Sequence, residues 1–169
     1  MEPEMIYDEL RDVKKIPQVL VDLVKESVIN TIGSISGELP EYAGNGLENK
    51  SLNGIIGNIA VFNPDYTLSL MLAIPRETAL QLSEIFIGMA IPFESDDMGD
   101  LVGEISNILA GDVAANIEQV GFRGQSSLPI ATRGSDLTLF MPNKPPTEKM
   151  RFNGAIGEFW LNMALNQSK

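Results

Sequence analysis

Two stretches of the chain match in part at helical spacing, an internal echo that points to two related helix-plus-strand halves. V-K-E-S-V-I-N-T-I-G, ending at Gly33, lies over V-G-E-I-S-N-I-L-A-G, ending at Gly111. In this register Asp22 matches Asp100 and Glu26 matches Glu104, while Ile29 stands where Asn107 stands. At about 100° per residue the second stretch, Asp100 to Glu118, places Leu101, Val102, Ile105, Ile108, Leu109, Val113 and Ile117 on one arc. Asp100, Glu104 and Asn107 share the other, and Gly103, Gly111 and Ala114 lie beside them. Glycine costs a helix interior about 1 kcal/mol relative to alanine, so a polar face floored by small residues suggests that something approaches it closely.

The flanking segments define the fold class. Residues 1–15 read as a charged, solvated leader and 16–169 as one domain. A helix is expected from about Ile16 to Thr31, closed by Gly33, and Ser34 to Lys50 could hold an edge strand with a loop around Gly44-Asn45-Gly46. The period then falls to two: Leu52 to Phe62 and Tyr66 to Ile74 read as a hairpin turning at Asn63-Pro64-Asp65. Pro75 opens a short helix closed by Gly88, and Ser95-Asp96-Asp97 is an acidic cap for the helix that follows. Three further strands are expected at Phe122–Thr132, Asp136–Met141 and Ala155–Leu165, separated by Arg133-Gly134-Ser135 and by the Pro142–Pro146 loop. The sum is an α+β domain: two long helices packed on an antiparallel sheet, in two pseudo-repeated helix-plus-strand halves.

Composition narrows the chemistry. With 169 residues the chain can bury roughly 70% of its unfolded surface as one domain. It has no cysteine, and the Glu2-Pro3-Glu4 opening is unlike a secretory signal, so the expected compartment is the cytoplasm. No apolar run approaches the roughly 20 residues that span a bilayer, so no membrane partner is expected. A net charge of −11 argues against nucleic acid. Histidine is absent, which removes the commonest general base and the commonest metal ligand together. The acidic groups Glu94–Asp100 and Glu2–Asp12 lack the spacing of a calcium loop, so no metal site is expected on this chain.

Asp100, Glu104 and Asn107 therefore carry the interest, as a row about 10 Å long up one helix face. Such a row is most often a solvated face, but the small-residue floor and the break in the repeat at Asn107 alone set this one apart. Asp112 and Asn116 fall inside the apolar arc, as a helix end, a partner contact or a polar cluster with the strands. Arg76, Arg123 and Arg133 are candidates to face an acidic partner.

The pattern D-x-x-x-E-x-x-N within G-D-L-V-G-E-I-S-N-I-L-A-G, followed by the proline of S-S-L-P-I-A-T-R-G, closely resembles the signature of the CheC/CheX family of chemotaxis phosphatases. With one intact motif, the chain is most similar to the CheX branch. The resemblance implies hydrolysis of the aspartyl phosphate on the response regulator CheY. Glu104 would pair with the receiver's active-site lysine, and Asn107 would enter the receiver site and hold a water in line with phosphorus. Gly103, Gly111 and Ala114 would let the receiver's backbone approach, Pro129 would shape the neighbouring loop, and Asp100 would support the row. No cofactor would be bound by this chain; Mg2+ would belong to the receiver. The resemblance also implies a homodimer, joined through sheet edges. The alternative is a non-catalytic CheY-binding module, like the flagellar switch proteins that share this architecture. A general metal-dependent hydrolase would need histidines or a dense carboxylate cluster, and the chain has neither.

Overall fold

The computed structural model describes residues 6, 7, 10, 14–46 and 51–168. Most of the acidic Glu2–Asp12 group and the 47–50 end of the expected loop lie outside the described residues. In chain order the elements are α1 (Gln18–Ser36), β1 (Glu41–Asn45), β2 (Leu52–Phe62), β3 (Tyr66–Pro75), α2 (Arg76–Ile87) and α3 (Asp96–Ile117). A 3-10 turn (Glu118–Val120) leads to β4 (Gln125–Ser126), β5 (Ile130–Leu137), β6 (Thr147–Gly154) and β7 (Gly157–Gln167). The fold is α+β: among the described residues three long or medium helices pack on a seven-stranded sheet whose pairings are all antiparallel.

The strands run β1-β6-β7-β3-β2, with β4 and then β5 along the outer side of β2. Exchanging β1 with β5, β2 with β6 and β3 with β7 reverses this order and reproduces it. The two halves are thus related by a pseudo-two-fold axis between β3 and β7, as the helical echo implies. A second trace of the repeat lies at the entry to each edge strand, where Leu39-Pro40 precedes β1 and Leu128-Pro129 precedes β5.

Alternation sorts the strand side chains to two faces. Ile55, Ile59, Val61, Leu68, Leu70, Leu72, Ile74, Phe152, Phe159, Leu161 and Met163 join the helices in the main core. Leu52, Ile56, Met71, Ala73 and Trp160 form a second cluster on the opposite face, covered by Leu137, Leu139 and Met141. Ile6 and Leu10 are buried in the main core, so these leader residues pack against the domain, where a solvated leader was expected.

Several boundaries differ from expectation. Helix α1 runs past Gly33 to Ser36 and ends on Gly37, whose φ of 79° is the left-handed cap that glycine favours. Gly33 lies inside the helix, and Leu39 folds back onto it: a Cβ there would sit 2.5 Å from Leu39 Cδ2. Gly44 and Asn45 belong to the edge strand itself, not to a loop. The expected strand Phe122–Thr132 is broken at Ser127–Pro129, since proline has no N–H to give the ladder. Arg133-Gly134-Ser135 is mid-strand in β5, paired with β2, and not a turn. The expected Asp136–Met141 strand ends at Leu137, after which Leu139 and Met141 pack on the open sheet face. Strand β6 was not anticipated, because T-E-K-M-R-F-N-G buries only Met150 and Phe152 and carries too little apolar alternation to announce itself.

Candidate functional site

Ser95 caps α3, its Oγ accepting from the Met98 N–H at 3.3 Å, and Asp96 and Asp97 occupy the positive first turn. The loop before the cap is tied down by two arginines. The Arg133 guanidinium, arriving from β5, donates to the Phe93 carbonyl at 3.0 Å and the Ser95 carbonyl at 2.7 Å. Arg76, at the start of α2, pairs with Glu94 at 2.5 Å and lies 4.7 Å from the centre of the Phe93 ring. That hydrogen bond holds the Glu94 carboxyl below the ordinary glutamate value. Arg76 and Arg133 thus serve the motif helix from inside the chain, where they had been candidates to face a partner.

Midway along, α3 sits close on the sheet. Ser106 is fully buried against Gly57 of β2, where a Cβ would lie 2.0 Å from Ser106 Oγ and 3.3 Å from Val102 Cγ1. Only a glycine beneath a small helix residue permits that approach. The far end is joined to α1 by polar contacts. The Thr31 hydroxyl donates to Asp112, and the Asn116 amide donates to the Leu23 carbonyl at 2.9 Å and to Ser27 Oγ at 3.2 Å. Asp112 and Asn116 therefore form a polar seam with the first helix, not with the strands.

On this support Asp100, Glu104 and Asn107 all point to solvent. Among the described residues the one ion pair is Arg76–Glu94, so neither Asp100 nor Glu104 has a salt-bridge partner among them. Ile108, expected on the core arc, is instead 36% exposed and borders the row. Gly103 is half-buried, and a Cβ on it would meet nothing nearer than Pro129 Cγ at 3.9 Å. A Cβ on Gly111 would meet nothing within 4 Å, so internal packing does not require glycine there. Ala114 is half-buried against the core, at the border of the exposed face. The structure thus gathers Asp100, Gly103, Glu104, Asn107, Gly111, Ala114 and Pro129 on or beside one face of α3.

A cleft of about 640 Å3 lies at the start of α2, between Arg76, Thr78 and Glu158, and a groove of about 440 Å3 lies along the α1–α3 seam. Asp100, Glu104 and Asn107 line neither. Among the described residues no group of three or more acidic side chains is placed to hold a metal ion, and no helix is long and apolar enough to cross a membrane. One exposed residue at this border went unnoticed in the sequence: Leu128, beside Pro129, is 87% exposed. The repeated Leu-Pro pair would have flagged it.

Comparison with known proteins agrees with this architecture. Chemotaxis protein CheX from Vibrio vulnificus superposes with a TM-score of 0.77 at 17% identity, over 87% of this chain and 99% of that one. A chemotaxis protein CheX from Desulfovibrio desulfuricans gives 0.76 at 18% identity, over 87% and 99%. The CheX of a Borrelia burgdorferi CheX-CheY-BeF3-Mg2+ complex gives 0.71 at 18%, over 87% and 97%. No curated protein sequence matches the chain. The family model described as chemotaxis phosphatase CheX matches residues 55–165, which include most of β2, β3, α2, all of α3 and nearly all of the second half of the sheet. With its single D-x-x-x-E-x-x-N row on α3, the chain belongs to the CheX family of chemotaxis phosphatases.

Proposed function

We propose that the chain hydrolyses the aspartyl phosphate of a CheY-like response regulator by inserting Glu104 and Asn107 of α3 into the receiver's active site. The observation that carries this reading is a solvent-facing carboxylate and amide, one turn apart, that line neither of the clefts described above. A site that acts on a small molecule needs concavity of its own. An exposed row outside any such cleft suits chemistry completed in another protein's site. The family supports the reading, as does the Borrelia complex, in which a CheX is bound to CheY.

The reaction needs no nucleophile from this chain. Water attacks phosphorus, the receiver's aspartate leaves as carboxylate, and inorganic phosphate is released. Phosphoryl transfer is catalysed chiefly by positioning and electrostatics. Asn107 places its amide where it orients the attacking water, and an uncharged group does so beside an anionic phosphate without the repulsion of a carboxylate. Glu104 pairs with the receiver's lysine and sets the register of the two proteins. Asp100 supports the row from one turn below, and Pro129 fills the flank at Gly103. Mg2+ belongs to the receiver. The protein works in the cytoplasm as a homodimer, joined through the sheet edges.

Asn107→Ala is expected to lower stimulated dephosphorylation by about two to three orders of magnitude, with the unfolding midpoint unchanged because the side chain is exposed. Glu104→Ala is expected to act mainly on KM. The assay mixes the chain with a phosphorylated receiver and follows phosphate loss. An Asn107→Ala chain as fast as wild type would sink the mechanism, and a wild type that binds without hydrolysis would leave a docking module.

A further inference from the structure

Among the described residues Leu128 is the most exposed large apolar side chain, and its backbone is held on both sides. On one side the Ser127 N–H donates to the Ala60 carbonyl at 2.8 Å, while Ser127 Oγ accepts from the Ala60 N–H at 2.9 Å. On the other, Pro129 sets the chain direction with its ring beside Gly103 of the motif helix. A leucine presented on so restrained a segment loses little conformational freedom when it is covered. The charges of the neighbourhood add a second argument. Arg76 and Arg133 are engaged with Glu94 and with the carbonyls before the α3 cap. What the face offers a partner is therefore Asp100, Glu104 and Asn107, with the apolar Ile108 beside them and Leu128 next in the chain to Pro129, whose ring lies by Gly103. Carboxylates and one amide supply register. Affinity at protein interfaces is concentrated in a few well-buried side chains, and apolar ones are what remain here.

We propose that Leu128 is the apolar anchor through which the receiver docks beside the Glu104–Asn107 row, determining affinity and not the chemical step. This rests on the reading of α3 as a receiver-facing helix. The pseudo-symmetry supplies an internal control. Leu39 precedes Pro40 at the entry to β1 as Leu128 precedes Pro129 at the entry to β5, and Leu39 is also exposed, at 62%. It lies against Gly33 of α1, a helix with no counterpart of Asn107. It should therefore contribute nothing to receiver binding.

The experiment compares wild type, Leu128→Ala and Leu39→Ala in two assays: binding to a receiver loaded with beryllofluoride, and dephosphorylation over a range of receiver concentrations. Leu128→Ala is expected to raise both Kd and KM by about tenfold or more with kcat little changed, and Leu39→Ala to match wild type. Both leucines are exposed, so neither change threatens the fold. A Kd for Leu128→Ala within about twofold of wild type, or an equal loss in Leu39→Ala, would overturn the anchor. A wild type that binds but does not hasten phosphate loss defeats the phosphatase reading alone, and the binding arm still decides on Leu128. A wild type that binds no loaded receiver defeats both.

Discussion

Asn107 and Ile29 occupy the same place in two related helices, yet their surroundings differ. Ile29 is half-buried and packs against the core, whereas Asn107 faces solvent. A solvent-facing amide with no hydrogen-bond partner among the described residues is available for work outside the chain, and an isoleucine on the core is not. Glu94 shows the same logic for a charge. The Arg76 hydrogen bond depresses its folded-state pKa. Its stabilising contribution is therefore complete above the unfolded glutamate value and is lost as pH falls through the lower folded value. The tie that braces the α3 cap should thus persist through neutral and weakly acid pH. Arg76→Gln is expected to return Glu94 toward the ordinary value, read from its carboxyl carbon in an NMR titration, with little change in stability at neutral pH because the pair is exposed. A Glu94 titration unmoved by that substitution would show that Arg76 is not the cause.

At the scale of the element, α3 carries glycines that its own fold does not need. Gly111 lies in the helix interior with open space where a Cβ would go. Gly111→Ala should therefore raise stability by about 0.5–1 kcal/mol, through helix propensity and a less flexible unfolded chain. If the space is kept for the receiver, the same variant should dephosphorylate it less efficiently. Urea unfolding and the phosphatase assay together test this, and a variant both more stable and fully active would remove the reason given for the glycine floor. The motif helix, its cap and the polar row were all legible in sequence, because helical periodicity, an N-cap and an acidic first turn are properties of neighbours along the chain. Ile108 was misplaced because a 100° wheel cannot say how wide an arc the sheet will cover. Strand β6 and the true extent of β5 were not legible: edge-side strands are covered on one face or neither, and the apolar alternation that marks a strand weakens accordingly.

Across the whole molecule, the pseudo-two-fold axis leaves β1 and β5 at opposite edges of one continuous sheet. Unpaired edge groups are a template for another strand, and the proposed homodimer would satisfy them. Sedimentation at micromolar concentration should give twice the monomer mass; a monomer alone would remove dimerisation from the proposal.

By itself the sequence determined the helices, the central hairpin, the relation of the halves and the one row of residues suited to chemistry, since each is written in local periodicity or in a comparison of the chain with itself. The tertiary structure alone decided what those pieces meet. Arg133 reaches carbonyls 38 and 40 residues away, Asp112 finds Thr31 across 81 residues, and Leu128 is left uncovered beside the motif helix. Contacts of that kind depend on which strands pair and on how the chain crosses the sheet, and no window of neighbouring residues contains that information.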